Sequence, residues 1–342
     1  MEELLERLLT ECRPYTARGK AADYIPELAK ADPSRLGIYV IGANGKENWA
    51  GDCRQPFTIQ SVIKPILLLQ ALLDNGEELV RSRVGMEATG KPFDAINASE
   101  QSLDSGHINP MVNMGAIVIC SLIRGESYEA RFQRLLELTR KLTGCPDLGI
   151  DEAVYRSEKS HGSKNRALAY LLKSYGLLED DVEEVLDCYF RACSIQVDCR
   201  ALAHIGAVLS NRGRLPNSNE QIFPAHLARM VNAILTTCGM YDGSGDFAIR
   251  VGVPAKSGVG GGIMAVVPHP HGHRHLWPRA GPEGQQRCRH PAAGKAQPRA
   301  LSEHFLSILR AFSDYLRILR AFPAFSHRKK PRYRPRLLRL GK

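Results

Sequence analysis

The sequence predicts an α+β fold in which a sheet drawn from both chain ends frames a large helical insertion over about 71–237. Three observations predict it. Short β-compatible runs occur early, at 36–41 and 47–51, and return late, at 247–253 and 263–267. Between them, segments of helical periodicity follow one another at 111–123, 126–143, 163–176, 181–193, 197–210 and 224–237. A strongly apolar helix also begins abruptly at Ser61 and runs to about 73, where Asn75-Gly76 stops it. Strands at the ends and helices in the middle describe segregated α and β layers rather than alternating βαβ units.

Each element has a local reason. Residues 2–12 carry Leu4, Leu5, Leu8 and Leu9 on one helical face, and a second short helix is expected over 20–30. Gly42-Ala-Asn-Gly45 supplies turn chemistry between the first two strands. Pro56 to Gln60 reads as extended, and Pro65 fits the first turn of the helix that follows, where amides lack intrahelical partners. Residues 77–110 are polar and read as irregular.

Charge divides the chain. The net charge is +10, but residues 269–342 hold 17 of the 46 Lys and Arg and only 3 of the 36 Asp and Glu. The first 268 residues are therefore mildly acidic, which speaks against a nucleic-acid-binding body. Three units follow: an N-terminal helix over 1–19, a globular domain over 20–268, and an aberrant basic tail over 269–342. The nine cysteines form no C-x-x-C pair. Their odd number and the acidic, amphipathic N-terminus point to a reducing, cytoplasmic setting. No apolar run approaches the ~20 residues of a membrane span.

The sharpest chemical signal is Ser61-Val-Ile-Lys64. Residues three apart at a helix start share a face, so a neutral Lys64 is able to take the proton of Ser61. Alone, S-x-x-K also describes a helix cap beside a surface lysine. Lys256-Ser257-Gly258 adds weight, because a strand bringing a second ammonium beside a serine is the third element of penicillin-recognising enzymes. Gly85-Met-Glu-Ala-Thr-Gly-Lys91 imitates a P-loop, but Pro92 stands where Ser or Thr must hold magnesium. His269, His271, His273 and His275 alternate without an acidic or cysteine partner, so no dedicated metal site is expected.

Longer blocks carry a family likeness: Asp23-Tyr-Ile-Pro-Glu-Leu28, Pro56 to Lys64, Asn109-Pro-Met-Val-Asn-Met-Gly-Ala116, Ser157-Glu158 with Asn165-Arg-Ala167, Tyr189 to Ile195, Cys238-Gly-Met-Tyr-Asp242, and Pro254 to Val259. In that order they resemble the serine-dependent glutaminases, whose fold is like that of β-lactamases and transpeptidases. The resemblance implies hydrolysis of L-glutamine through an acyl-enzyme, with Ser61 as nucleophile and Lys64 as base. It implies substrate contacts from Tyr24, Gln60, Ser61, Asn113, Glu158, Asn165, Tyr189, Tyr241 and Val259, supported by Lys256, Ser257 and Gly258. Glu158 suits the α-ammonium, and Asn113 and Asn165 suit the α-carboxylate. The amides of Ser61 and Val259 would form the oxyanion hole, and Tyr189 or Tyr241 would pass a proton to ammonia. No metal or organic cofactor is implied, and neither is a specific nucleic acid or a membrane. A dimer or tetramer is.

Two departures concern pocket shape. Met114 fills a usually small position, and Ser163-Lys164 replaces a usual Asp-Arg. A penicillin-binding hydrolase shares both lysine motifs, but it should offer S-x-N or Y-x-N between them. A catalytically dead chain with a nucleic-acid- or membrane-binding tail is the rival from another class.

The likeness fades at Pro268, where a slip of reading frame explains the change. Residues 273–279 can be encoded CAT CGG CAT CTT TGG CCC CGC; one nucleotide later the same bases read Ile-Gly-Ile-Phe-Gly-Pro-Ala, a strand-like string. An in-frame, divergent basic tail with an amphipathic segment at 301–322 is the alternative.

Overall fold

A computed structural model describes residues 1–42, 44–88, 103 and 107–267, the side chain of Arg18 excepted. The tail beyond 267, with its histidines and its 301–322 segment, lies outside the described residues, as does the end of the P-loop-like stretch from Thr89 on.

The N-terminal helix α1 (Glu2–Cys12) buries Leu5, Leu8 and Leu9 against a hairpin of β1 (Gly37–Ile41) and β2 (Glu47–Gly51). The ladder is antiparallel and pairs Tyr39 with Trp49. β3 (Phe57–Thr58) leads into a tight turn at Gln60–Ile63 and then α2 (Lys64–Asn75). α2 is buried from Lys64 to Leu72, so it runs through the core rather than along the surface. A short α3 (Glu77–Arg83) follows.

The helical layer is completed by α4 (Asn113–Ser121), α5 (Tyr128–Thr143), α6 (Glu152–His161), α7 (Ser163–Ser174), α8 (Val182–Cys193), α9 (Cys199–Ser210) and α10 (Ala225–Cys238). α2 packs on α4 and α5, and α8 packs on α4, α5, α6 and the turn at Gln60–Ile63. The described residues close with α11 (Ser244–Arg250), β5 (Ala255–Ser257) and β6 (Ile263–Ala265), the strands forming an antiparallel pair that matches Lys256 with Met264.

The α+β class holds, with corrections. The ends do contribute the strands, but among the described residues they form separate two-stranded ladders, β1–β2 and β5–β6. α9 packs against both β1 and β6 and spans the interval between them. A third small ladder pairs β3 with β4 (Gln196–Val197), between α8 and α9.

Residues 20–30 form no α-helix, only a 3-10 turn at Leu28–Lys30, because Pro26 disfavours helical backbone at Ile25. α3 sits in a stretch expected to be irregular. It buries only Val80, which leaves little periodicity, but Glu77 and Glu78 in its first turn and Arg81 and Arg83 in its last complement the helix dipole. The run at 247–253 is mostly helix. Its alternation of Phe247, Ile249, Val251 and Val253 imitates a strand, yet Ile249 is 87% exposed because α11 turns it outward. α6 escaped notice because its buried face is only Val154, Ser157 and Glu158; Asp151, accepting from the amides of Ala153 and Val154, was the available N-cap signal.

Candidate active site

Ser61 lies in the 3-10 turn, not in the α-helix that the sequence suggested. Side chains three apart eclipse one another in a 3-10 turn, so Ser61 and Lys64 share a face. Both are buried. Gln60, just before the serine, has φ +48, a costly backbone for a residue with a Cβ. Such strain persists only where surrounding contacts over-determine the turn.

The turn after β5 supplies part of that constraint. A Cβ placed on Gly258 would come within 2.9 Å of the Ile59 carbonyl and 3.5 Å of the Ser61 amide nitrogen, and one on Gly260 within 2.3 Å of the Thr58 carbonyl. The glycines therefore let two backbones meet at the serine. Val259, between them, packs on the cluster of Ile25, Leu28 and Val154.

Lys64, fully buried at the start of α2, donates from Nζ to Asn113 Oδ1 at 2.7 Å and to the Met111 carbonyl at 3.3 Å. Asn113 Nδ2 in turn donates to Asn165 Oδ1 at 3.0 Å. One chain of hydrogen bonds thus links α2, α4 and α7. The Met111 carbonyl was not foreseen, since a backbone acceptor leaves no mark in side-chain identity.

At the other end Tyr24 Oη donates to Glu158 Oε1 at 2.6 Å and to Gln60 Oε1 at 3.2 Å. Glu158 is buried on α6, and among the described residues no lysine or arginine pairs with it. Burial raises its pKa, opposed by hydrogen bonds from Tyr24 and Gln60 and by the nearby His161. Tyr189 is buried on α8. Its pKa stands well above the ordinary tyrosine value through burial first, then Cys193, Glu158 and Tyr24. Cys193, a neighbour of Glu158 that is not among the contacts the resemblance implies, is pushed up to about 12 by burial and then by Glu158.

Tyr241 has φ +53, and Lys256 Nζ lies 4.4 Å from its ring centroid. Lys256 and Ser257 are both buried on β5. The two departures noted in sequence separate here. Met114 turns into the main hydrophobic core, while Ser163 and Lys164 open α7 just before Asn165.

A sequence model described as Glutaminase matches residues 19–285 of the chain. The chain belongs to the glutaminase family. Its reaction class is the hydrolysis of glutamine. Curated relatives include a glutaminase of Clostridium tetani and a glutaminase 2 of Clostridium perfringens, each 50% identical over 268 residues, 78% of this chain and 88% of theirs. A Bacillus glutaminase crystal structure superposes with a TM-score of 0.72 at 38% identity, covering 78% of this chain and 85% of that one. A second, a probable glutaminase from Bacillus subtilis complexed with 6-diazo-5-oxo-L-norleucine, gives 0.72 and 38% over 79% of this chain and 84% of that one. The matched span of this glutaminase family member ends at 285, past the compositional break at 268. Its fold neighbours are therefore glutaminases, in line with the blocks that carried the resemblance.

Proposed function

We propose that this glutaminase works through a Ser61 acyl-enzyme on a β-lactamase-like fold, with L-glutamine as substrate. Lys64 takes the Ser61 proton as Oγ bonds to the side-chain amide carbon. The carbonyl π pair moves onto oxygen, where the amides of Ser61 and Val259 stabilise it. Collapse breaks the C–N bond, and ammonia leaves with a proton from Tyr241. The Tyr241 phenolate then takes a proton from water as the water attacks the ester, and Lys64 returns its proton to Ser61 Oγ as glutamate leaves.

The observation that carries this reading is the approach of the Gly258 turn to the Ser61 amide, 3.5 Å from a Cβ built there. It supports two backbone amides converging beside one buried hydroxyl. Glu158, buried with no lysine or arginine paired to it among the described residues, suits the α-ammonium, and Asn113 with Asn165 suits the α-carboxylate. Tyr241 is favoured over Tyr189 as proton donor because Tyr189 neighbours Glu158 and Cys193, at the ammonium end. Lys256 and Ser257 support the site from β5. The dimer or tetramer and the cytoplasmic setting rest on the resemblance and on the cysteines, all free and none exposed among the described residues. Size-exclusion chromatography with light scattering measures the former. No helix among the described residues is long and apolar enough to cross a membrane.

The test uses 6-diazo-5-oxo-L-norleucine as a glutamine-like alkylating probe. One adduct per chain on the Ser61 peptide, and neither adduct nor ammonia release in Ser61→Ala, is expected. Glutamine turnover surviving in Ser61→Ala, or an adduct on another residue, overturns the serine mechanism.

A further inference from the structure

Lys256 entered as a second ammonium beside the serine, the place from which a cation would touch substrate. Its surroundings give it other partners. It is 0% exposed. Nζ donates to the Ser257 carbonyl at 2.7 Å and to the Gly239 carbonyl at 3.1 Å, and it faces the Tyr241 ring at 4.4 Å. Three partners match the three N–H groups of an ammonium, leaving none for a substrate oxygen.

We infer that Lys256 is a positioning residue, which holds the turn carrying Tyr241 and thereby sets the phenol for proton transfer to ammonia. This rests on the reading of Tyr241 as proton donor given above. Four observations support it. Tyr241 occupies φ +53, a conformation that a tyrosine keeps only under external constraint. The turn is pinned from one side by β5. Ser257 donates its amide to the Gly239 carbonyl at 3.2 Å, the same oxygen that Lys256 reaches, and a Cβ on Gly239 would fall 1.7 Å from the Ala255 carbonyl. From the other side, Ser244 Oγ accepts from the Met240 amide at 3.0 Å and donates to the Tyr241 carbonyl at 2.8 Å. The amine thus fastens both the backbone before Tyr241 and its ring face.

The charge state of Lys256 does not undo the arrangement. Burial and then the neighbouring charge of Lys64 push its pKa well below the ordinary lysine range, with Cys238 opposing. A neutral amine still keeps two N–H groups, one for each carbonyl, so the hold on the backbone persists and only the cation–ring attraction is lost.

A double-mutant cycle tests the inference. Lys256→Met retains volume and loses the donors; Lys256→Gln retains two N–H donors. In the otherwise unchanged enzyme, Lys256→Met is expected to lower kcat by about tenfold or more with KM little altered, and Lys256→Gln to recover part of the loss. In a Tyr241→Phe background, either change should add less than about twofold, because the hydroxyl being positioned is already gone. Thermal melts of every variant identify those that fold; Lys256→Gln carries the cycle if Lys256→Met does not. Effects that multiply fully with Tyr241→Phe, or a loss that appears in KM, overturn the role given to Lys256. Unchanged kcat in Tyr241→Phe alone overturns the proton-donor reading instead, so the two failures are distinguishable.

Discussion

Lys64 donates to the side-chain oxygen of Asn113 at 2.7 Å, and that contact fixes which way the amide of Asn113 faces. With Oδ1 held by the lysine, Nδ2 must point away, and it meets Asn165 at 3.0 Å. The proposed base and the proposed carboxylate-binding amides are therefore one hydrogen-bonded unit. Its members lie on helices α2, α4 and α7, brought together by burial of α2 among the others.

Replacing Asn113 by Asp puts a carboxylate where the amide oxygen stands. A negative charge at this distance favours the protonated lysine, so a higher pH is needed to expose the free amine. The acid limb of kcat/KM in Asn113→Asp should move upward by about 1–3 pH units. Initial rates from pH 5 to 10 measure it. An acid limb that stays in place would show that this lysine is not the base.

Glu158→Gln should weaken glutamine binding and stabilise the fold. Loss of the charge-assisted contact to the α-ammonium costs about 1.5–3 kcal/mol in binding. The stability sign follows from burial. The carboxyl's folded pKa is raised from 4.5, so its stabilising contribution is full below that value and is lost as pH rises through the raised one. At pH 7.5 the native protein holds a buried carboxylate at a cost that Gln avoids. The variant should thus melt higher at pH 7.5, with the advantage shrinking towards pH 4.5. Calorimetry at both pH values, alongside KM, checks each half.

Gly260→Ala should damage the reaction more than the fold. The new Cβ would meet the Thr58 carbonyl at 2.3 Å, so the turn must withdraw from the Thr58–Ser61 segment. Overpacking costs about 1–3 kcal/mol of stability, whereas a displacement near 1 Å at the reacting centre can cost about 10²-fold in kcat. Gly149→Ala, with nothing within 4 Å, is the control. Equal kcat in the two variants would mean that the close approach of the turn after β5 does not matter.

Shifting the frame after Val267 should yield a more stable and more active enzyme than the present chain. Among the described residues β6 is paired only with β5, and Ile263, Ala265 and Val267 remain half-buried. A strand paired there and a covering helix would add several kcal/mol; for a domain of this size each kcal/mol raises Tm by about 2–4 °C. Melts and turnover on both polypeptides decide it. Equal values would mean that the tail is genuine and the codon argument an accident.

Legibility differed from element to element for physical reasons. α1 and α8 announce themselves because burial of one face imposes a period on the apolar residues, whereas β1 and β2 are marked by a partly β-branched apolar run and the turn residues at 42–45. α6 does not, since a helix that buries Ser157 and Glu158 for its site has spent its inward positions on polar groups. α11 misled because four apolar residues alternate while the chain turns helically.

The sequence by itself determined the family and the α+β class, and it named the residues proposed for the site. Those are properties of residue type and order: S-x-x-K, K-S-G and the blocks around Glu158, Asn165 and Tyr241 can be read without coordinates. Only the tertiary structure decided what each group touches. That Lys64 reaches Asn113 and the Met111 carbonyl, that Tyr24 lies on Glu158, and that Lys256 turns to Gly239 and Tyr241 depend on packing between elements far apart in the chain. Hydrogen bonds and buried charges are short-ranged and directional, so their pairing is set by distances of a few ångströms that residue order alone does not specify.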